Sequence, residues 1–387
     1  MNNIKRVAII ITAPFPTSRA YGVTTRETVQ ALTELGFENR VFCVRSNFID
    51  SDFAKILDNI TFFPENLFSK FTFRFSKLGN FRIFLIFWRI FVIYSFLLGL
   101  KDVKVYAPRY LWMRDPIAVY ISRIFFPNQR IVFEIHDFSS YFFLKKIIKK
   151  PNNTKIYPIN IEIDTKIKNI NPEISTRLAP MGIRRCSIVS EKSVDLFIDQ
   201  LINKSKLDIK IGYVGNMAPG GYSKGIEDLI NLGKFYIDQK EGSQIKLIGA
   251  YPDELTALEK MRKSLGIGTH LLQIESHVDH SEALVKLKEF DILVLPMSEN
   301  KKYVGMPLKL LEYIASGRIV IVANCKLYRS FFNGDYSPYW YEPKNIDSLD
   351  LSINYALGDI NLRTHLIAGL EFVKEFTWGK RTLNLVL

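Results

Sequence analysis

The sequence predicts an α/β protein with two doubly wound domains, each built on a parallel β-sheet. Short apolar runs of the kind buried as parallel strands alternate with segments of helical periodicity along the whole chain. This alternation begins at Val7–Thr12 and begins again at Ile209–Asn216. A chain of 387 residues is long for one core and sufficient for two. We therefore expect one domain over residues 1–203 and a second over 204–372.

Positive charge is concentrated in the first half of the chain. Residues 1–200 hold 29 Lys and Arg against 17 Asp and Glu, a balance of +12, and the remaining 23 against 22 give +1 of the total +13. A one-sided basic domain favours an anionic partner such as nucleic acid, an anionic lipid surface or an acidic substrate. The chain carries no recognised nucleic-acid-binding motif, so we predict no nucleic-acid partner.

Cysteine use and the N-terminus indicate a reducing compartment. Cys43, Cys186 and Cys325 lie far apart and have no metal-ligand spacing, so we interpret them as small core residues. The first residues run directly into an apolar strand without the pattern of a signal peptide. We expect a cytoplasmic protein, with a peripheral position on the inner face of the cytoplasmic membrane as an open alternative.

The first βαβ unit has an unusual loop. Val7–Thr12 is the strand, and a helix is predicted from Val23 to Leu35. The connection contains Tyr21 and Gly22 but lacks the G-x-G-x-x-G spacing of dinucleotide-binding loops. The loop therefore gives little support to a dinucleotide site.

Residues 65–100 combine basic, aromatic and long apolar segments. Lys70, Arg74 and Lys77 recur at i, i+4 and i+7 and so share one helical face. Phe81–Leu100 is almost wholly apolar apart from two arginines and approaches the length of a bilayer span. Three interpretations stay open: a membrane-docking surface partly packed on the sheet, a buried core helix, and a true span, which the arginines oppose.

One histidine of the first domain is predicted at the ligand-binding edge of the sheet. Val103–Arg109 is predicted as a strand, and a helix over Asp115–Phe126 leads to the strand Arg130–Asp137. His136 stands at the carboxyl end of that strand, where open α/β sheets bind ligands. Cys186–Glu191 is predicted as the last strand of the domain.

Two loops of the second domain carry candidate binding residues. A Gly-rich loop follows the strand Ile209–Asn216 and brings Lys224 to the start of a helix, an arrangement suited to a phosphate. His277 and His280 are three residues apart, but no carboxylate or cysteine shares their spacing. We therefore predict no metal site there.

The most informative segment is a third βαβ unit near residue 310. Asp291–Pro296 is an apolar strand, a helix opens at Pro307 and stops at Gly317, and a second apolar strand follows. Free N–H groups at such a helix start favour a phosphate. Glu312 lies about a turn and a half into the helix, from which it can accept hydrogen bonds from vicinal hydroxyls such as those of a ribose.

The residues Pro307–Gly317, Pro-Leu-Lys-Leu-Leu-Glu-Tyr-Ile-Ala-Ser-Gly, resemble the donor-site signature of retaining GT-B glycosyltransferases, family 4 in particular. The resemblance implies two Rossmann-like domains facing across a cleft and a nucleotide-diphosphate sugar as substrate. It implies no cofactor and no metal. It also implies that a C-terminal helix over 373–387 packs back on the first domain.

The resemblance also implies roles for individual residues. His136 would contact the donor sugar, Lys224 would neutralise the leaving diphosphate, and Glu312 would hold the ribose, as the three catalytic residues. Tyr21 and Gly22 would form the acceptor and sugar loop. The implied donor-binding set is Gly215, Asn216, Lys224, His277, Val278, Gly305, Met306, Pro307, Leu308, Lys309 and Glu312. Two positions depart from the family pattern: Val304 replaces the first of two paired glutamates, and Asn216 replaces an arginine.

These observations predict a retaining, metal-independent glycosyltransferase that uses a UDP- or GDP-sugar. Its acceptor would be a glycan or a lipid-linked molecule in the synthesis of a bacterial surface polysaccharide or glycolipid, such as lipopolysaccharide or capsule. The basic face formed by Lys70, Arg74 and Lys77 would meet an anionic membrane. The alternative is a catalytically silent protein of the same shape that binds nucleotide or glycan, because Val304 and Asn216 replace charged residues.

Overall fold

The computed structural model describes residues 5–17, 20–45, 56–64, 82–217, 224–239, 243–297, 308–332 and 334–386. These residues form two compact units. The N-terminal unit comprises the described residues up to Met181 together with the last helix, and the C-terminal unit comprises those from Gly182 to Thr377.

The N-terminal unit is built on a six-stranded sheet in which every paired strand is parallel. The strand order is β3-β2-β1-β4-β5-β6. In chain order its elements are β1 (Arg6–Phe15), α1 (Ala20–Glu34), β2 (Glu38–Arg45), β3 (Ile60–Phe62), α2 (Arg82–Tyr106), β4 (Tyr110–Met113), α3 (Pro116–Phe125), β5 (Arg130–Ile135), α4 (Tyr141–Lys149), β6 (Thr154–Pro158) and α5 (Ile161–Ile170).

The C-terminal unit repeats this plan with the order β12-β11-β10-β7-β8-β9, again all parallel. Its elements are α6 (Glu191–Ile202), β7 (Lys210–Val214), α7 (Glu227–Asp238), β8 (Gln244–Ala250), α8 (Pro252–Ser264), β9 (Leu272–Ser276), α9 (His280–Lys286), β10 (Ile292–Leu295), α10 (Leu308–Ala315), β11 (Ile319–Ala323), α11 (Lys326–Arg329), β12 (Tyr339–Tyr341), α12 (Ile346–Leu357) and α13 (Leu362–Lys374). The last helix, α14 (Trp378–Val386), belongs to the N-terminal unit.

Both sheets have the strand order of a doubly wound fold, which confirms the predicted fold class. The order reverses between β1 and β4 in the first sheet and between β7 and β10 in the second. Ligands of such sheets bind beyond the carboxyl ends of the strands at these switch points. The two switch points are therefore the places to look for functional residues.

Continuous apolar runs form the strands because both faces of each sheet are covered. All four residues of β10 and all five of β11 are buried. In β1 the side chains alternate between two cores: Ala8 and Ile10 pack into one cluster and Val7 and Ile9 into the other. This pattern is typical of parallel sheets flanked by helices on both sides.

Helix α14 is held on the N-terminal unit by polar as well as apolar contacts. Arg381 donates to the backbone oxygen of Pro180 at 2.7 Å, and the Tyr157 hydroxyl donates to the backbone oxygen of Leu385 at 3.1 Å. Leu385 is buried in the same core cluster as Tyr157. These contacts bring an arginine from the end of the chain into the interior of the first unit.

The predicted strand over Val103–Arg109 is wrong, because helix α2 continues to Tyr106. Phe96, Leu100 and Val103 are buried at helical spacing and join the same core cluster. That 3.6-residue period overrides the local strand-like alternation. The next strand is β4, Tyr110–Met113, and all four of its residues are buried.

The predicted strand over Cys186–Glu191 is also wrong. A short 3-10 turn occupies Arg185–Ser187, and Ser190 caps α6 by accepting from the backbone N–H of Ser193 at 3.3 Å. The backbone N–H of Val189 donates to Ala315 in the C-terminal unit. The second compact unit thus begins before the boundary expected at residue 203.

Of the cysteines, Cys43 is buried but Cys186 is exposed, so the core interpretation fails for Cys186.

Helix α2 has one buried and one exposed apolar face in the part whose side chains are described. Val92, Phe96 and Leu100 are buried, whereas Ile90 and Tyr94 are more than half exposed. Among the described helices none has the length and apolarity needed to cross a membrane. Lys70, Arg74 and Lys77 lie outside the described residues.

Candidate functional site

At the switch point of the second sheet, the backbone at the end of β7 packs closely against the backbone at the end of β8. Gly215 directly follows β7 and has φ of 144°, a conformation that favours glycine. Gly249 near the end of β8 lies so close that a Cβ there would stand 2.6 Å from the Gly215 oxygen. Asn216 comes next, and its backbone oxygen accepts from the Tyr213 hydroxyl at 2.8 Å. Glycines thus allow other groups to approach the end of β7.

Helix α10 is fixed against β7 by a buried tyrosine. The Tyr313 hydroxyl donates to the backbone oxygen of Val214 at 3.0 Å, and it accepts from the Val214 N–H at 2.8 Å. Tyr313 is fully buried. The pair of bonds sets the position of the helix and therefore of Lys309 and Glu312, which the same helix carries.

The lysine side chain near the start of α10 reaches the end of β7. A Cβ on Gly215 would stand only 1.4 Å from the Lys309 Nζ atom, so this ammonium occupies the space that the glycine leaves open. Nζ also lies 5.5 Å from the centroid of the Tyr213 ring. Burial and the charge of Lys224 lower the pKa of Lys309 to about 7, although Glu312 acts in the opposite direction.

Lys224 comes to the same switch point from the loop before α7. The following residue, Gly225, has φ of 82°, and a Cβ there would meet the backbone of Met297 at 2.9 Å. Met297 lies just past the end of β10, so Gly225 brings the loop against that strand end. Burial lowers the pKa of Lys224 to about 8. Two lysines with lowered pKa at one strand edge form a site suited to an anion.

Glu312 lies one turn after Lys309 and is held by a histidine that sequence reasoning did not assign to the site. The His280 Nε2 and Glu312 Oε1 atoms are 2.6 Å apart. The two side chains are only 24% and 12% exposed. His280 begins α9, and no sequence spacing connects it with α10. The contact orients the carboxylate near the two lysines.

Two residues of the implied donor-binding set, His277 and Val278, lie just after the end of β9. The His277 ring stacks on Tyr251, with ring centroids 4.7 Å apart and an interplanar angle of 16°. Both rings are exposed, and Val278 is partly buried beside them. Tyr251 was absent from the predicted set. A flat pair of exposed rings at the strand edge can stack with a planar ligand.

The predicted donor residues Gly305, Met306 and Pro307 lie outside the described residues, as does Val304. Leu308 and Lys309 are the first two residues of α10. In the part of the chain that the structure describes, no group of three or more His, Cys, Asp and Glu comes together as candidate metal ligands.

In the N-terminal unit, His136 belongs to a buried charge network centred on Glu134. The Glu134 side chain is fully buried, and its Oε2 lies 2.9 Å from His136 Nε2 and 3.1 Å from Arg114 Nε. Arg381 of α14 lies 3.0 Å from Glu134 Oε1, and the Trp112 indole N–H donates to the same oxygen at 2.7 Å. All of the carboxylate's partners come from β4, β5 and α14 or their ends.

The network has defined charge states. Burial raises the pKa of Glu134, but Arg381 and Arg114 outweigh this effect and hold the pKa well below the usual carboxyl value. Burial and Arg114 lower the pKa of His136, against the opposing effect of Glu134. Glu134 is therefore ionised and His136 neutral near pH 7. A neutral imidazole whose Nε2–H donates to Glu134 leaves Nδ1 as an acceptor.

Tyr21 and Gly22 lie in the first turn of α1 and not in the connecting loop as predicted, and packing explains why residue 22 is a glycine. A Cβ on Gly22 would stand 1.9 Å from the backbone oxygen of Thr17, so any other residue would displace the loop. The Tyr21 hydroxyl donates to the backbone oxygen of Pro14 at 2.6 Å. Arg114 also donates to Thr24 Oγ1 at 2.7 Å and so joins α1 to the Glu134 network. A role of Tyr21 and Gly22 in contacting a sugar stays a prediction.

Solved structures with the same two-domain architecture cover nearly the whole chain. Sucrose-phosphate synthase from Thermosynechococcus elongatus has a TM-score of 0.71 and 16% identity over 98% of this chain and 97% of its own. A glycosyltransferase from Rickettsia africae has a TM-score of 0.69 and 14% identity over 99% and 97%. Anabaena HepE in complex with UDP has a TM-score of 0.66 and 13% identity over 98% of each chain. The fold is that of the GT-B class.

Residues 208–359 match the family model described as glycosyl transferases group 1. The matched segment runs from just before β7 to just after α12 and contains Lys224, His280, Lys309 and Glu312. This match agrees with the glycosyltransferase resemblance found in the sequence. No curated protein gives a significant match to the chain.

Proposed function

We propose that the protein is a retaining, metal-independent glycosyltransferase that takes a sugar from a UDP- or GDP-sugar. The observation that carries the proposal is that Lys224 and Glu312 both act electrostatically on Lys309, whose side chain reaches the switch point between β7 and β10. Lys224 and the free N–H groups at the start of α10 can bind a diphosphate, and the Glu312 carboxylate can accept hydrogen bonds from the hydroxyls of a ribose. The UDP held by the similarly folded Anabaena HepE supports the same ligand class.

The proposed reaction is an exchange of groups at the anomeric carbon of the donor. The bond from this carbon to the diphosphate oxygen breaks, and a bond to the acceptor hydroxyl oxygen forms on the same face. The leaving phosphate takes the acceptor proton, so no carboxylate base is required. Lys224 and the N–H groups at Leu308 and Lys309 stabilise the charge on the leaving group. His136 supports the donor sugar.

A thermal-shift panel with UDP, GDP, ADP, CMP and their common sugar conjugates tests the ligand class. A ligand that binds the native state stabilises it by mass action and so raises the melting temperature. At a ligand concentration of 100 times Kd, the free energy of unfolding increases by about 2.7 kcal/mol. We expect a clear shift with one nucleoside diphosphate, followed by release of that diphosphate when donor and acceptor are combined. A shift without turnover would favour the silent binding protein, and no shift with folded protein would contradict the assignment.

We further propose a glycan or lipid-linked acceptor of bacterial surface polysaccharide or glycolipid synthesis, reached at the membrane surface. The supporting observations are the charge of +12 in residues 1–200 and the exposed apolar face of α2. Ile90, Tyr94 and Leu97 are 57%, 51% and 40% exposed and recur at i, i+4 and i+7. A basic domain with such a face suits the interface of an anionic bilayer.

Vesicle co-sedimentation tests the membrane proposal. The wild type should bind vesicles containing phosphatidylglycerol, and the double variant Tyr94→Glu, Leu97→Glu should lose most of this binding because two charges enter the apolar face. The control is Ile202→Glu, which changes an exposed apolar residue of the C-terminal unit. Equal binding by all three proteins would contradict docking through α2.

A further inference from the structure

The Lys309 side chain brings its terminal amine to the switch point of the second sheet. Its Nζ atom occupies the open space at Gly215, and the next residue, Asn216, brings no charge. Among the described residues, no carboxylate forms an ion pair with Lys309. The Glu312 carboxylate, one turn away, is engaged at Oε1 by His280.

We propose that the Lys309 side chain is a diphosphate-binding group that becomes charged when the anion arrives, so that binding takes up a proton from solution. The inference deepens the proposed function and rests on it for the identity of the ligand. It goes beyond the proposed function, which assigns only the backbone N–H of this residue to the leaving group.

The geometry favours a bound anion over a structural role for the ammonium. A structural lysine normally pairs with a carboxylate or extends its charged end into water. Lys309 instead turns its terminal amine toward the Tyr213 ring and the Gly215 backbone. The charge of Lys224 lowers the pKa of Lys309, and an anion bound near both groups would offset this repulsion.

The sign of the pH dependence follows from the groups around the ammonium. Burial and Lys224 favour the neutral amine, and Glu312 favours the ammonium, with a resulting pKa of about 7. The Tyr213 ring is the other neighbour. A diphosphate adds negative charge and raises this pKa, so at pH 8 the amine gains a proton on binding. The affinity for diphosphate should therefore fall as the pH rises from 7 to 9.

Calorimetric titration at pH 8 in two buffers of different ionisation enthalpy measures the protons taken up. The probes are UDP, GDP and inorganic pyrophosphate. We expect about one proton from Lys309, in addition to a fraction from Lys224, whose pKa is about 8. Wild-type binding of UDP or GDP, which are fully ionised at pH 8, with no proton uptake would overturn the inference without the help of any variant.

Variants separate Lys309 from Lys224. Lys309→Met should weaken pyrophosphate and nucleoside diphosphate binding by about 10- to 100-fold, the size of one charge-assisted hydrogen bond. It should also lower the proton uptake by about one. Lys309→Gln keeps a polar end and serves as the second variant if the first does not fold. The control is Lys263→Met, which removes an exposed lysine near the end of α8 and should change neither value.

The outcomes distinguish this inference from the proposed function. Pyrophosphate binding with Lys309-dependent proton uptake, but no nucleotide binding, would support the inference and contradict the proposed donor. Diphosphate binding with the same proton uptake in wild type and Lys309→Met would overturn the inference and leave the donor site intact. Binding of none of the three probes would overturn both.

Discussion

Lys224→Ala is expected to lower turnover by about 100- to 1,000-fold, the loss typical when one group that stabilises developing negative charge is removed. The structure places this lysine beside the end of β10, because Gly225 packs against the backbone of Met297. The measurement is the rate of nucleoside diphosphate release with the donor identified by the thermal-shift panel. A variant with full activity would contradict the assignment of Lys224.

The stability of the same variant provides an internal control. Burial lowers the pKa of Lys224 to about 8, so the folded protein disfavours its charge and the melting temperature of Lys224→Ala should not fall. Lys234→Ala removes a lysine of α7 whose partner is Asp238 on the surface, and it should keep full activity.

Because Lys224 must be charged to bind the diphosphate, kcat/KM of the wild type should decrease as the pH rises through about 8.

The features predicted well from the sequence are those that depend on nearby residues. The unit from β10 to β11 has two apolar runs, a helical period and a stop at Gly317, whose φ is 66°. Each of these signals lies within a few residues of the element it specifies. Asp115 likewise caps the helix that was predicted to begin there.

The features missed by the sequence depend on contacts between distant segments. Nothing near Gly215 indicates that the Lys309 ammonium fills its open side, and nothing near Glu312 indicates His280. The same holds for Arg381, which reaches Glu134 only because α14 packs on the first unit. The strand predicted at Val103 failed for a related reason, because burial against a distant sheet decides the helix there.

Glu134→Gln is expected to produce the largest loss of stability, about 3–5 kcal/mol, because it leaves Arg114 and Arg381 without their buried carboxylate. For a unit of this size the loss corresponds to a decrease in melting temperature of about 6–20 °C. The matched control is Glu162→Gln on α5, which breaks a surface ion pair with Lys166 and should change the stability by less than about 1 kcal/mol. Equal melting temperatures for the two variants would contradict the role of the network.

The pH dependence of that loss distinguishes the lost charge from a packing defect. The folded protein holds the pKa of Glu134 well below 4.5, so the carboxylate's contribution is fully present above the unfolded value and disappears only as the pH falls toward the folded value. The stability difference between wild type and Glu134→Gln should therefore be constant at neutral pH and shrink in acid. A packing defect would give a difference independent of pH.

Since Glu134 also favours protonated His136, the pKa of His136 measured by NMR should fall further in Glu134→Gln. This shift would connect the buried network to the residue proposed to support the donor sugar.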